Sequence, residues 1–299
     1  VLVEPTSKHT IPLHIVRSSD FDEWIATQNK NLVTLLATQN WTAKPDTFAV
    51  AYKDNGKLDA VYIGMPDDIG LYSICAAADK LPQDTYHLVE NDFTEAEANA
   101  IAIGWVMNAY RFQTFKKMRS EFPLLVWPQA ANRDRVNAMT RAITMVRNLI
   151  NLPPNALGPE ALASAAQMVA TQFKAKSKII CDSELLDQNF PLIYAVGDGS
   201  ERRPRLVDFT WGNPKHPKVT LVGKGVCFDT GGYDLKPSAA MLLMKKDMGG
   251  AAMALGTAFL IMAAELPVRL RVLIPCVENS VSGRAYRPSD ILNSRAGLT

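Results

Sequence analysis

The stretch at residues 223–250 reads GKGVCFDTGGYDLKPSAAMLLMKKDMGG, and it separates a predicted strand from a predicted helix. The preceding residues 219–223 are rich in β-branched side chains, which is typical of a strand. The following residues 249–265 form an apolar run of helical length. Ligands in open α/β sheets bind beyond the carboxyl ends of the strands, so Lys224 is predicted to lie where chemistry takes place.

The same alternation of strands and helices extends through the second half of the chain. Predicted strands cover residues 178–181, 205–211, 219–223 and 268–277. Predicted helices cover a segment that begins at Pro159, residues 182–188 and residues 249–265. This alternation predicts an α/β domain with a mixed, mostly parallel sheet flanked by helices.

The first half of the chain predicts a smaller α/β domain. Two β-prone runs within residues 48–65 flank Asn55-Gly56, a pair typical of the tight turn in a β-hairpin. A strand is predicted at residues 85–89. Thr94 and Glu97 then form a capping box, with a helix predicted up to about Phe112. A short strand at residues 124–128 follows.

A long amphipathic helix at residues 133–150 separates the two halves. Its apolar residues recur at three- and four-residue steps, and it ends before Pro153 because proline cannot continue a helix. We therefore predict an N-terminal α/β domain over residues 1–130, a connecting helix over residues 131–151 and a larger C-terminal domain over residues 152–299.

The composition is that of a globular protein: of 299 residues, 47% are hydrophobic and 21% are charged, with a net charge of +2. So small a net charge leaves no broad electrostatic surface for nucleic acid or an anionic membrane. No signal-peptide pattern is visible, and the apolar run at residues 248–264 is shorter than the ~20 residues of a membrane span. The widely spaced cysteines predict buried free thiols in a reducing compartment. We expect a cytoplasmic protein without membrane or nucleic-acid partners.

The charges in the 223–250 stretch have three explanations. A phosphate-binding loop requires Ser or Thr after its lysine, whereas Lys224 is followed by glycine and valine. A metal site is supported by Asp229 and Asp247, since two carboxylates and a neutral lysine amine can bind a divalent cation. Ion pairs between the lysines and the aspartates satisfy the same charges, and the spacing alone favours these pairs over the metal.

Residues 223–252 resemble the signature of the leucyl aminopeptidase family of di-metal exopeptidases, GKG-x-x-F-D-[ST]-GG-x-x-x-K followed by M-x-x-D-MGGAA. Three further segments are similar to stretches of that family: RNLINLPPN at residues 147–155, residues 195–206, and PCVEN with GRAYRP within residues 275–288. The resemblance runs from about Arg133 to residue 299, and the N-terminal domain is compatible with the family without being diagnostic. These combined similarities outweigh the ion-pair explanation.

The resemblance implies a role for each of five residues. Lys224 would bind one metal ion through its neutral amine, Asp247 would bind the same ion, and Asp229 would bridge both ions. Lys236 would stay charged, face the substrate carbonyl and stabilise the oxyanion of the tetrahedral intermediate. Met244 would line the pocket for the first side chain of the substrate.

The reaction that the resemblance implies is the removal of N-terminal amino acids, leucine and other apolar residues, from peptides by a water activated between two metal ions. The ions would be zinc or manganese, with magnesium as an option, and the complete family site also holds bicarbonate. A homo-hexamer that acts on peptide substrates is implied as well. Three neighbouring charged residues, Asp234, Lys245 and Lys246, are interpreted as solvated or structural, and Glu278 as a buried, hydrogen-bonded carboxylate.

The family completes its site with an N-T-D-A-E-G-R motif, which supplies two more carboxylate ligands and an arginine for the bicarbonate. That motif would come shortly after the segment that residues 292–299 resemble. We therefore expect a fragment of a longer enzyme, inactive as these 299 residues alone. The alternatives are an inactive truncated or non-catalytic structural or binding homologue, and a nucleotide-binding module.

Overall fold

A computed structural model describes residues 1–5, 9–89, 92–116, 121–282, 284–295 and 297–298. The chain divides into two compact units, Val1–Thr140 and Arg141–Thr299. The long helix predicted at residues 133–150 is present as Arg133–Asn151, and it crosses this division. The finer partition into residues 1–130, 131–151 and 152–299 stays a prediction.

The first unit is built on one mixed sheet. Its strands are β1 Leu2–Val3, β2 Ile11–Arg17, β3 Phe48–Tyr52, β4 Leu58–Met65, β5 Thr85–Val89 and β6 Leu124–Val126, in the spatial order β1-β6-β5-β2-β4-β3. The pairings are parallel except that of β3 with β4, which is the predicted hairpin. Gly56 in its turn has a φ of +78°, the backbone conformation for which glycine is favoured.

The helices of this unit are α1 Phe21–Ala26, α2 Lys30–Thr38, α3 Cys75–Ala78 and α4 Glu95–Asn108. The predicted capping box of α4 is confirmed, with both reciprocal hydrogen bonds present. The helix ends four residues before the predicted Phe112, because Met107 is its last buried residue. Phe112 packs against Phe115 instead, with ring centroids 6.2 Å apart.

Thr94→Ala is expected to lower the free energy of unfolding of this unit by about 1 kcal/mol. Thr94 Oγ1 accepts a hydrogen bond from Glu97 N at 3.3 Å, and Glu97 Oε2 accepts one from Thr94 N at 2.9 Å. Urea denaturation followed by circular dichroism measures the effect. Thr94→Ser keeps the hydroxyl and should stay within a few tenths of a kcal/mol of the wild type. If Thr94→Ala and Thr94→Ser lose the same free energy of unfolding, the hydroxyl of the cap contributes nothing to stability.

The second unit contains most of α5 Arg133–Asn151. Its other helices are α6 Pro159–Gln172, α7 Glu184–Asp187, α8 Pro191–Gly197, α9 Ser238–Met241 and α10 Gly249–Ala263, with a 3-10 turn at Met244–Lys246. Its strands are β7 Lys176–Cys181, β8 Arg205–Trp211, β9 Lys218–Val222, β10 Gly225–Asp229, β11 Arg269–Asn279, β12 Asn293–Ser294 and β13 Gly297–Leu298. These bounds confirm the α/β alternation that the sequence predicts.

Strand β11 organises the main sheet of this unit. It pairs in parallel with β9 through its first half and with β10 through its second half, and antiparallel with β8 on its other side. Strand β7 pairs antiparallel with β8. The sheet is therefore mixed and flanked by helices, as predicted. The pairings of the described strands are not mostly parallel, however, because β8 runs antiparallel to both of its neighbours, which leaves two parallel and two antiparallel pairings. Because β9 and β10 follow one another along the same edge of β11, Lys224 lies at the interruption between them.

Two glycines permit this interruption. A Cβ at Gly225 would lie 2.2 Å from the carbonyl oxygen of Pro275, and a Cβ at Gly223 would lie 2.6 Å from Ala251 Cα. Neither distance is compatible with a side chain, so both positions require glycine for close backbone approach. The approach allows Ala251 N to donate a hydrogen bond to the Lys224 carbonyl oxygen at 2.8 Å, which holds the first turn of α10 against the lysine backbone.

Helix α10 belongs to the core of the second unit, as its uniformly apolar sequence predicts. Its buried residues are Ala251, Ala252, Leu255, Gly256, Ala258, Phe259 and Met262. No helix in the described ranges combines the length and the apolar character needed to cross a membrane. All four cysteines are free thiols: Cys227 and Cys276 are buried, whereas Cys75 and Cys181 are half-buried. Burial raises the pKa of the two buried thiols, which keeps them protonated.

Candidate metal centre

Lys224 and Asp247 form the first part of the candidate site. Lys224 lies at the interruption between β9 and β10, and Asp247 lies between the 3-10 turn and α10. Their side chains are 3.0 Å apart, from Nζ to Oδ2, and the Asp247 side chain is only 20% exposed. Despite this short distance, Asp247 Oδ2 is out of contact with solvent and no donor in the described residues is aimed at it for a hydrogen bond. The ion pair therefore compensates the charge of this oxygen but leaves its lone pairs without a directed donor.

Asp229 and Lys236 form the second part. Asp229 ends β10, and Lys236 lies in the loop that follows it. Lys236 Nζ is 3.0 Å from Asp229 Oδ2, with side chains 29% and 15% exposed. Lys236 N also donates to the Thr230 carbonyl oxygen at 2.9 Å, which fixes the loop backbone next to the carboxylate.

A glycine turn brings Lys236 back to Asp229. Gly231 and Gly232 have φ values of +91° and +71°, which L-residues with side chains rarely adopt. A Cβ at Gly231 would also lie 2.2 Å from the Asp234 carbonyl oxygen. The pair of glycines is thus required by the turn itself.

The electrostatics of the two pairs are linked. Burial raises the pKa of Asp229, but hydrogen bonds from Lys236, Gly231 and Asn279 outweigh it and hold this pKa below its ordinary value. The pKa of Lys236 is raised, first by the hydrogen bond and charge of Asp229 and further by the charges of Asp247 and Asp234. The 3-10 turn that leads to Asp247 packs against β10, which carries Asp229, so the two ion pairs form one lysine–aspartate cluster.

The donor set of this cluster fits a divalent cation. It offers two partly buried carboxylates, those of Asp229 and Asp247, and the amine of Lys224. One carboxylate oxygen, Asp247 Oδ2, is buried and has no hydrogen bond. Within the described ranges, no three His, Cys, Asp or Glu side chains gather into a metal site by themselves. The fit therefore requires the neutral amine of Lys224 as a metal ligand in addition to the two carboxylates. The ion pairs of the alternative explanation are present too, and they use the same atoms.

Met244, the predicted substrate-binding residue, begins the 3-10 turn that precedes Asp247. This turn packs against β10, which carries Asp229, and the Met244 side chain is half-buried. Of the charged neighbours, Asp234 and Lys246 are exposed, and Lys245 donates to the Asn151 carbonyl oxygen at 2.9 Å. These positions agree with the solvated or structural interpretation of the three residues.

Glu278 is a fully buried carboxylate, as predicted. Its Oε1 accepts hydrogen bonds from Arg287 Nη2 at 2.7 Å and Ser200 Oγ at 3.2 Å. Arg202 Nη1 approaches its other oxygen at 3.4 Å. With both oxygens in contact with buried or half-buried donors, Glu278 stabilises the end of β11.

Asn279 is the residue of this site to which the sequence assigned no role. It is the last residue of β11 and lies opposite Asp229 in the parallel pairing with β10. Asn279 Nδ2 donates to Asp229 Oδ1 at 2.7 Å. The signal available in the sequence was its place at the carboxyl end of a predicted strand, where ligand-binding residues are common.

Comparison with known proteins identifies the family of the chain. The catalytic domain of the cytosol aminopeptidase family matches residues 144–299, and the M17 aminopeptidase N-terminal domain matches residues 11–128. A probable cytosol aminopeptidase of Corynebacterium efficiens is 36% identical over 216 residues, which cover 69% of this chain and 43% of that protein. The chain thus spans less than half the length of this relative.

Solved structures agree with the sequence comparison. The cytosol aminopeptidase from Coxiella burnetii has a TM-score of 0.85 at 39% identity, over 99% of this chain and 65% of that one. The bottromycin maturation enzyme BotP, solved in complex with Mn, has a TM-score of 0.75 at 25% identity, over 96% of this chain and 63% of that one. The chain belongs to the cytosol aminopeptidase family.

Proposed function

We propose that the protein is a metal-dependent aminopeptidase that removes leucine and other apolar residues from the N-termini of peptides. The observation that carries the proposal is the cluster of Lys224, Asp229, Lys236 and Asp247, in which a buried carboxylate oxygen has no hydrogen bond. Family membership supports the reaction class, and the Mn complex of BotP supports a divalent cation.

The residues of the cluster divide two tasks in this proposal. Lys224, Asp229 and Asp247 would hold divalent ions, and these ions would supply an activated water and polarise the peptide carbonyl. Two ions take more ligands than these three side chains provide, so the proposal requires further donors. Lys236 donates to the oxygen on which negative charge develops during the reaction.

The surface around the cluster supports an apolar substrate side chain. Tyr233 and Leu235 precede Lys236 in the loop and are exposed, and Leu242 and Leu243 are exposed just before Met244. Exposed apolar side chains next to a polar site are typical of ligand-binding surfaces. Met244 is unbranched and polarizable, so it can adapt to apolar side chains of different shape.

Asp247→Asn is expected to weaken Mn²⁺ binding by at least about tenfold, since loss of a direct ligand costs no less than loss of an outer-shell partner. The protein, expressed from its complete gene, is titrated with Mn²⁺ by calorimetry and assayed with a leucine anilide. EDTA should abolish hydrolysis, and Mn²⁺ or Zn²⁺ should restore it.

Asp187→Asn is the matched control, because Asp187 is an exposed carboxylate at the end of helix α7, outside the segments that carry the cluster. It should leave both Mn²⁺ affinity and hydrolysis unchanged. The two ion pairs are equally compatible with a non-catalytic homologue in which they only hold the loop. Absence of Mn²⁺ binding and of hydrolysis in the wild type would favour that second function over the proposed one.

A further inference from the structure

Asn279 contacts Asp229, a carboxylate that the proposed function assigns to metal binding. It ends β11, whereas Asp229 ends β10, and the parallel register places the two residues opposite each other. The inference about Asn279 rests on the proposed function, since it concerns how Asp229 is presented to a cation.

Asn279 contacts the end of β10 through both its side chain and its main chain. Its Nδ2 donates to Asp229 Oδ1 at 2.7 Å. Its carbonyl oxygen accepts hydrogen bonds from Thr230 N at 3.0 Å and from Thr230 Oγ1 at 3.1 Å. The residue therefore binds the carboxylate and the adjoining turn together.

The two oxygens of Asp229 are consequently not equivalent. Oδ1 accepts from Asn279 Nδ2 at 2.7 Å and from Gly231 N at 2.9 Å, whereas Oδ2 faces the Lys236 ammonium at 3.0 Å. Two neutral donors on Oδ1 fix the rotation of the carboxylate about its Cβ–Cγ bond. Oδ2 is thereby held toward the lysine–aspartate cluster.

The chemistry of the amide suits this position. An amide N–H₂ orients a carboxylate without adding positive charge, whereas a lysine or arginine there would repel a bound cation. The backbone on the other side of Asn279 is well anchored, because the preceding residue Glu278 is fully buried and bonded to Arg287. Asn279 is thus held by the fold and holds Asp229 in turn.

We propose that Asn279 is a positioning residue for metal binding, which fixes Asp229 so that one carboxylate oxygen faces the metal site. Outer-shell partners of metal ligands typically contribute about 10–100-fold to metal affinity. Asn279→Ala is expected to weaken Mn²⁺ binding by about tenfold. It should also broaden the electron paramagnetic resonance signal of the bound Mn²⁺, since a free carboxylate samples more than one orientation.

The test compares Mn²⁺ affinity in Asn279→Ala, Asp229→Ala and the double variant. If Asn279 acts through Asp229, Asn279→Ala should lower the Mn²⁺ affinity little further in a protein that already carries Asp229→Ala. The effects of the two substitutions on Mn²⁺ affinity are then not additive. Asn155→Ala is the control for loop tethering. Asn155 exchanges hydrogen bonds with Ile291 at 2.7 and 3.2 Å and belongs to a different loop.

The outcomes separate the two proposals. Wild-type protein that binds Mn²⁺ while Asn279→Ala binds it equally well overturns the positioning role alone. Wild-type protein that binds no Mn²⁺ overturns both the role and the proposed function. If Asn279→Ala fails to fold, the side-chain amide resonances of Asn279 in the ¹⁵N-labelled wild type decide. They should shift on addition of Zn²⁺, and unchanged resonances with Zn²⁺ bound would count against the proposal.

Discussion

Lys236→Ala is expected to lower kcat for leucine anilide hydrolysis by about 10²–10³-fold, the effect typical of removing one preorganised oxyanion donor. Lys236 lies 3.0 Å from Asp229 Oδ2, and this neighbour raises its pKa, so the side chain remains an ammonium at neutral pH. A charged donor beside the proposed metal ligands can stabilise an oxyanion, which a neutral amine does much less well. Steady-state kinetics of the protein with Mn²⁺ measure the loss.

The same substitution should act differently on metal binding. Removing the ammonium frees Asp229 from a competing cation, so the Mn²⁺ affinity of Lys236→Ala should equal or exceed that of the wild type. Lys246→Ala is the matched control, because Lys246 is exposed ten residues further along the chain. If Lys236→Ala keeps the full kcat, Lys236 is not part of the catalytic machinery. If Lys236→Ala loses Mn²⁺ binding, Lys236 is a structural partner of Asp229.

Glu278→Ala is expected to lower the free energy of unfolding by about 3–5 kcal/mol, the range for removing one partner of a buried ion pair. The Glu278 side chain is 0% exposed and that of Arg287 is 8% exposed. Without the carboxylate, the guanidinium of Arg287 would keep only Asp290, whose Oδ2 is 3.3 Å from Nη1. A buried guanidinium left with this one longer ion pair is poorly compensated, so much of the loss comes from the arginine that remains.

Glu201→Ala provides the comparison for this prediction. Glu201 pairs with Arg284 at 2.7 Å, but their side chains are 61% and 85% exposed. Exposed pairs of this kind contribute about 0–1 kcal/mol, so this variant should unfold close to the wild type. Chemical denaturation of both variants measures the difference. Equal stabilities for Glu278→Ala and Glu201→Ala would show that the buried network adds nothing to the fold.

Local sequence patterns predicted most of the elements in the second unit. The strands at β8 and β9 and the helices α6 and α10 were found because β-branched runs, apolar runs of helical length and Pro159 are local signals. In the first unit the hairpin and the capping box were found for the same reason. Both depend on residues within four positions of one another.

Elements without such signals were missed. Strand β2 contains Pro12, which argues against a strand in the interior of a sheet, yet it lies in the interior of the first sheet, between β5 and β4. Pairing on both sides stabilises it, and pairing is not visible in the seven residues themselves. The end of α4 was placed too late because aromatic residues beyond Asn108 continue the apolar pattern without being buried in the helix.

The sequence by itself determined the family, the residues that carry charge at the candidate site and the local elements that present them. Only the tertiary structure decided that Lys224 pairs with Asp247, that Lys236 pairs with Asp229, and that Asn279 orients Asp229 from fifty positions along the chain. The physical reason lies in the range of the forces. Helix caps and turns depend on neighbours in sequence, whereas the contact of Asn279 with Asp229 follows from the register of β10 on β11, which the packed sheet sets. The pair of Lys224 and Asp247 likewise requires the packing of the 3-10 turn and α10 against β10.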